Sequence, residues 1–343
     1  MIEKQKGKLS TIEEVCDAIR KHNNFLLSAH IRPEGDSVGS LLAVQSLLTK
    51  LGKTAWVVSE DEFPDRLDLM PKDGWHTVRE IKKLKKKPHF DACVVVDCPN
   101  PTRMGSVQEL IGRDTTIINI DHHVSNARFG HYNLVNDRAA ACGEIVYDLF
   151  KQFKIPITKT EAVPIYISIS TDTGSFKYSN TTSKTHLVAS ELIQTGIDLE
   201  EINENLYERC SHSRLNLLAD LLDEIKVEMG GKVVWAVVKS AMLRKTKTTF
   251  EDTEGFIDFL RSMSGVRIAF ILIENEKSMY QVSFRSKGSD DVNQIAEAFG
   301  GGGHRKASGC TIDGPPEKAA RRIVAVIRRY FKKPTFSRSL VEK

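Results

Sequence analysis

The chain has 343 residues, 41% of them hydrophobic and 27% charged, which accommodates two domains of ~100–200 residues with substantial cores. Its formal net charge of +4 suits an anionic substrate without demanding one, because solvated lysines alone produce such a balance. No apolar run reaches the ~18 residues of a membrane span, and Met1-Ile2-Glu3-Lys4 leads into no apolar signal core. Six scattered cysteines without a CxxC pair read as reduced thiols, which argues against a disulfide scaffold or a cysteine-built zinc site and leads us to expect a cytoplasmic protein.

Residues 9–22 pattern as a short helix, with Ser10 or Thr11 as N-cap and Glu13 or Glu14 closing a capping box. A buried strand at 25–29 ends at His30. The stretch that follows, from His30 through Pro33, Glu34, Gly35 and Asp36 to Ser40, reads as a turn, with a helix restarting at Gly39 and running to about Lys50. A strand is expected at 54–58, then an acidic, proline-containing loop over 60–75. The lysine cluster at 82–87 reads as a solvated helix end or linker. Residues 91–96 lack alternation, as in a parallel strand covered on both faces, and end at Asp97.

Another strand, 116–120, delivers Asp121-His122-His123, and a helix is expected over 139–153. Residues 161–171 are apolar and rich in β-branched side chains, so pattern alone leaves helix and strand open; they lead to Thr171-Asp172-Thr173-Gly174-Ser175-Phe176. A helix at 184–196 closes a first domain of residues 1–200. Residues 199–229 read as helical, and 201–229 are taken as a connector. Gly230-Gly231 then opens a second domain, 230–333, with strands at 232–239, 266–274, 278–286 and 309–312. Its helices are expected near 252–263, 291–299 and 315–331, and the loop Gly300-Gly301-Gly302-Gly303-His304 lies between the last two. The basic tail 334–343 is expected to be disordered. The fold class is therefore α/β: a doubly wound, mainly parallel N-terminal domain and a smaller C-terminal α/β domain joined by a helical connector.

Acids and histidines recur where buried elements end: His30/Glu34/Asp36, Asp97, Asp121/His122/His123 and Asp172. Gathered on one sheet edge, these groups would be costly unless a cation sat among them. Two divalent ions ~3.5–4 Å apart are a standard solution for phosphoryl hydrolysis. Mixed His/Asp/Glu ligation without cysteine fits Mn2+, with Mg2+ or Co2+ as competitors. The glycine loop lets backbone N–H groups approach a phosphate closely. His304, with Arg285 on the preceding strand, can add positive charge there.

These stretches resemble the DHH phosphoesterase superfamily. His30-x-x-Pro33-Glu34-Gly35-Asp36-x-x-Gly39-Ser40 is similar to its first motif, Val95-Val96-Asp97 to the second, Asp121-His122-His123 to the third and Thr171-Asp172-Thr173-Gly174-x-Phe176 to the fourth. Residues 300–309 resemble the signature of the DHH-associated C-terminal domain. The resemblance implies one metal on His30, Glu34, Asp97 and Asp172, and another on Asp36, Asp97, His122 and Asp172. It further implies His123 beside the scissile phosphate as general acid or charge stabiliser, and Asp121 orienting a histidine. Arg285, Gly301, Gly302, Gly303 and His304 would hold the far end of the substrate. One departure is Glu34, where the family usually has aspartate.

Within the superfamily, length and architecture resemble the branch that hydrolyses short oligoribonucleotides and 3'-phosphoadenosine-5'-phosphate. Its implied partners are a short RNA or small nucleotide, with no membrane, no stable protein partner and a homodimer at most. A cyclic-dinucleotide phosphodiesterase, a single-stranded DNA exonuclease and a non-catalytic nucleotide-binding regulator stand as alternatives. The chain shows no interleaving of aromatic and basic residues of the kind long strands need.

Overall fold

A computed structural model of the chain describes residues 7–276 and 279–332. The residues up to Arg209 form one compact unit and those from Cys210 a second. The expected tail, 334–343, lies outside the described residues.

In the first unit α1 (Ile12–Lys21) opens with the expected capping box, in which Thr11 and Glu14 bond each other's backbone. The strands are β1 (Asn24–Ser28), β2 (Thr54–Ser59), β3 (Trp75–Thr77), β4 (Ala92–Val96), β5 (Thr116–Asp121) and β6 (Tyr132–Val135). All pair in parallel, in the order β3-β2-β1-β4-β5-β6. The order reverses between β1 and β4, and ligands of such sheets bind outside the carboxyl ends of strands at that switch point. His30 and Asp97 emerge there, and the third motif follows on the neighbouring β5.

Helices α2 (Gly35–Lys50), α3 (Val78–Lys83), α4 (Cys142–Phe153), α5 (Lys159–Asp172), α6 (Ser183–Ile193) and α7 (Leu199–Asn203) complete this unit. One expectation is corrected here and one open reading is settled. The first motif is not a turn before a helix: α2 begins at Gly35, with Glu34 at its N-cap, so Asp36 and Ser37 stand in its first turn. The open stretch 161–171 is helical despite its β-branched residues, because α5 is buried against α2 and α4 and burial overrides propensity. That packing is unusually close. A Cβ at Gly39 would lie 2.2 Å from Pro164 O, one at Gly35 2.5 Å from Thr171, and one at Gly143 2.1 Å from Ser168 Oγ. The short strands β3 and β6 and the 3-10 stretch Pro101–Leu110 carry too little pattern to be read from sequence. The lysine cluster is a solvated helix end, with Lys82 Nζ 2.6 Å from Glu109.

The second unit comprises α8 (His212–Asp223), β7 (Lys226–Glu228), β8 (Val233–Val238), α9 (Ser240–Thr246), α10 (Phe256–Ser262), β9 (Ile268–Glu276), β10 (Met279–Ser286), α11 (Asn293–Glu297), β11 (Gly302–Gly303), β12 (Ala307–Asp313) and α12 (Pro316–Lys332). Its sheet runs β11-β12-β10-β9-β8-β7, antiparallel except for β8 and β9. Alternate residues of β8 enter two cores: Val233 and Trp235 pack with Ile323 and Ile327, Val234 and Ala236 with Leu217, Leu221 and Leu260. The helical reading of 199–229 breaks at a π-helical turn, Glu204–Glu208, and at β7. Among the described residues no helix is long and apolar enough to cross a membrane, and all six cysteines are free.

Candidate active site

His30, Asp36, Asp97, Asp121, His122 and His123 are each at most 7% exposed. Asp172, the last residue of α5, joins them with a side chain 26% exposed. His30 is fixed by its Nδ1, 2.7 Å from Ile31 O, which turns Nε2 toward Ser37 Oγ at 2.9 Å and Asp97 Oδ2 at 3.5 Å. His122 repeats the arrangement, with Nδ1 3.3 Å from Ala139 O. Its Nε2 lies 3.4 Å from Asp36, 3.6 Å from Asp97 and 3.7 Å from Asp172. Imidazoles pinned to carbonyls through one nitrogen, with the other aimed at carboxylates, have the geometry of metal ligands. One candidate donor set is Asp36, His122 and Asp172, and another is Asp97, Asp121 and His123, with the ligand atoms of each set within 4.8 Å of one another.

Asp121 Oδ1 lies 2.7 Å from His123 Nδ1 and accepts the His122 N–H at 2.9 Å, while the Asn126 amide donates to Oδ2. Asp36 rests on the N-terminus of α4, accepting the N–H groups of Cys142 at 2.8 Å and Gly143 at 3.2 Å. The hydroxyls of Ser168 and Ser40 complete its shell at 2.5 and 3.1 Å. Ser37, 0% exposed, donates to Asp97 Oδ2 at 2.6 Å. The Asn180 amide donates to Ala140 O at 2.9 Å and to Asp172 O at 3.1 Å. Sequence reading gave no role to Ser37, Ser168, Asn126 or Asn180, because a serine or asparagine carries no signal for the carboxylate it will meet, whether five residues away, as Asn126 from Asp121, or 132, as Ser168 from Asp36.

Backbone strain concentrates here. Asp97 has a φ of 49°, a left-handed conformation that costs a non-glycine residue about 1–3 kcal/mol. Its N–H donates to Ile120 O at 3.0 Å, and the Asn119 amide bridges the carbonyls on either side of it, Val95 and Cys98. After Asp172 the left-handed Gly174, Ser175 and Phe176, at φ 57°, 58° and 61°, turn the chain. Ser175 N–H bonds Ser170 O at 2.7 Å, and the Phe176 ring stacks on His186 at 5.4 Å.

Burial, with the Asp97 charge beside it, pushes the Asp36 carboxyl up to about 7 and the Asp172 carboxyl to about 6. Burial would raise Asp97 too, but His122 and His30 hold it well below the carboxylate range. Burial would lower His122, but Asp172, Asp97 and Asp36 raise it far above its usual value. The burial and repulsion that raise Asp36 and Asp172 are what a cation among them would offset, so the donor set fits a divalent metal.

Of the expected ligands, Glu34 alone is exposed, and its side chain does not cap the helix it begins. In the second unit the glycine loop is partly a strand. Gly302 and Gly303 pair with Gly309 and Ser308, and His304 N–H donates to Ala307 O at 2.7 Å. A Cβ at Gly301 would lie 2.1 Å from Gly309 O, so this glycine is required by packing, whereas one at Gly302 would meet nothing nearer than 3.7 Å. Arg285 stands on β10 opposite Ala307, with a buried Nε that has no partner among the described residues.

A doubly wound sheet with buried carboxylates and imidazoles at its switch point, followed by a unit bearing a glycine–histidine hairpin, defines a two-unit α/β protein with a candidate metal centre. Residues 24–169 match the DHH family, N-terminal domain, and residues 230–333 match the DHHA1 domain. The chain is 31% identical to the bifunctional oligoribonuclease and PAP phosphatase NrnA of Thermus thermophilus, over 94% of each chain. It is 27% identical to the protein of the same name in Bacillus subtilis, over 87% of this chain and 92% of that one. An exopolyphosphatase-related protein from Bacteroides fragilis superposes with a TM-score of 0.84 at 25% identity, covering 93% of this chain and 96% of that one. The chain belongs to the DHH family of phosphoester hydrolases.

Proposed function

We propose that the protein is a manganese-dependent hydrolase of very short oligoribonucleotides, dinucleotides among them, and of 3'-phosphoadenosine-5'-phosphate. The observation that carries this reading is the convergence of three carboxylates on His122 Nε2 while its Nδ1 is held by Ala139 O. The names of the relatives support the substrate class. One ion would be held by His30, Glu34, Asp97 and Asp172 and the other by Asp36, Asp97, His122 and Asp172. When bound, the ions supply charge neutralisation of the phosphate and activation of a water nucleophile.

The chain's own groups do the rest. Asp97, held below the carboxylate range, is assigned to both ions. Ser37 fixes one of its oxygens, and the N-terminus of α4 fixes Asp36. His123, oriented through Nδ1 by Asp121, protonates the leaving oxygen or stabilises developing charge. In the second unit Arg285, Gly301, Gly302, Gly303 and His304 provide nucleotide contacts; the unpaired Arg285 Nε supports this role, and Gly302 has open space beside it.

The test is hydrolysis by the full chain with added Mn2+, using a dinucleotide, a pentamer, a 24-mer RNA, 3'-phosphoadenosine-5'-phosphate and cyclic-di-AMP. Preference for the short RNAs, lost on chelation, is expected. Better cleavage of the 24-mer would move the protein to the exonuclease branch, and no turnover despite bound Mn2+ would make it a nucleotide-binding regulator.

A further inference from the structure

We propose that Asp61, which lies outside every motif above, is a positioning residue for the His30 side of the metal centre; the proposal rests on the two-metal reading. Between His30 and Glu34, both assigned to one ion, stands Arg32 with a φ of 55°. An arginine adopts this left-handed conformation only where its surroundings impose it. Here the Arg32 N–H donates to Asp61 Oδ2 at 2.6 Å, a short charge-assisted bond.

Asp61 is itself held in place. Its N–H donates to Ser59 Oγ at 3.1 Å, and the Trp75 indole N–H donates to its carbonyl at 3.2 Å. The adjoining Glu60 accepts the N–H and hydroxyl of Ser106 at 2.6 and 2.5 Å. The Ile31 N–H reaches Arg103 O at 2.7 Å in the same turn. The segment leaving β2 thus grips both the His30 loop and the 3-10 stretch after Asp97. Gly105 makes room for it: with a φ of 60°, a Cβ there would lie 2.7 Å from Glu60 and 2.9 Å from Ile31.

Without the Asp61 carboxylate, the Arg32 N–H loses the acceptor that favours its left-handed conformation. Relaxation to negative φ turns the peptide planes between His30 and Glu34 and shifts the one residue relative to the other. Asp36, His122 and Asp172 are anchored separately, through α4, Ala139 and Asn180, and keep their places. Asp61 therefore acts on one of two ion sites.

The test is calorimetric titration of the full-length protein with Mn2+, together with a thermal melt, for wild type, Asp61→Ala and Asp61→Asn. Asp61→Ala is expected to weaken one of two binding steps about tenfold or more and to leave the other and the melting temperature unchanged. Asp61→Asn keeps an acceptor oxygen and recovers most of the loss. An Asp61→Ala protein that titrates like wild type overturns the proposal. So does equal weakening of both steps with a lowered melting temperature, which would make Asp61 merely structural. A wild-type protein that binds fewer than two ions overturns the two-metal reading itself, and the proposal with it.

Discussion

The two units build their functional segments by opposite means. In the first, side chains do the positioning: Ser37 and Ser168 from across the fold, and Asn126 and Asn180 from nearby loops, hold carboxylates in place. In the second, the backbone does it: Gly301 lies so close to β12 that no side chain fits. A site whose charges are buried needs partners for every lone pair, whereas a hairpin packed this tightly against its neighbouring strand needs the absence of side chains. The first kind tolerates backbone strain, as at Asp97, because its bonds over-determine the geometry. The second kind is governed by sterics.

The contrast breaks most visibly at Asp97. Asp97→Ala removes the carboxylate shared by both proposed donor sets, and a loss of activity on the order of 10³-fold or more is expected, with Mn2+ binding abolished in the same titration. His123→Ala should cost less, roughly 10²-fold in kcat, and should leave Mn2+ binding intact, which separates proton transfer from metal holding. Loss of Mn2+ binding in that variant would make His123 a ligand instead.

The second unit answers to a different substitution. Gly301→Ala forces a Cβ against Gly309 O and should destabilise that unit by about 1–3 kcal/mol, read as a lowered melting temperature. Gly302→Ala has open space and should melt like wild type, so any effect there falls on KM. Equal melting of both variants would show that the hairpin is not sterically fixed.

The smallest effect concerns the helix that carries Asp172. Burial alone would raise the Glu161 carboxyl, but Lys50 Nζ at 2.8 Å and bonds from Ser46 and Thr158 hold it down to about 2. Its folded pKa lies below the unfolded value of ~4.3, so its contribution is fully present above that pH and is lost as pH falls toward 2. Because the Lys50 side chain is 31% exposed, solvent screening limits the contribution to about 1 kcal/mol. Glu161→Gln should therefore lower stability at pH 7 by about that amount and leave it nearly unchanged near pH 2. An equal loss at both pH values would assign the effect to packing.

The sequence by itself determined the parallel core strands, the α/β class and the candidate residues of the site, because those signals are local. A β-branched run ending in Asp97 or in Asp121-His122-His123 is visible to anyone who reads along the chain. Tertiary structure decided that 161–171 is helix, since burial against Gly35, Gly39 and Gly143 outweighs propensity. It also decided where α2 starts, that the glycine loop is half strand, and that Glu34 is exposed while its fellow candidates are buried or, at Asp172, partly buried. Above all it supplied the partners of the carboxylates, such as Asp36 with Ser168 and Arg32 with Asp61. Those pairings join residues far apart in the chain, and only the packing of the fold brings them within hydrogen-bonding distance.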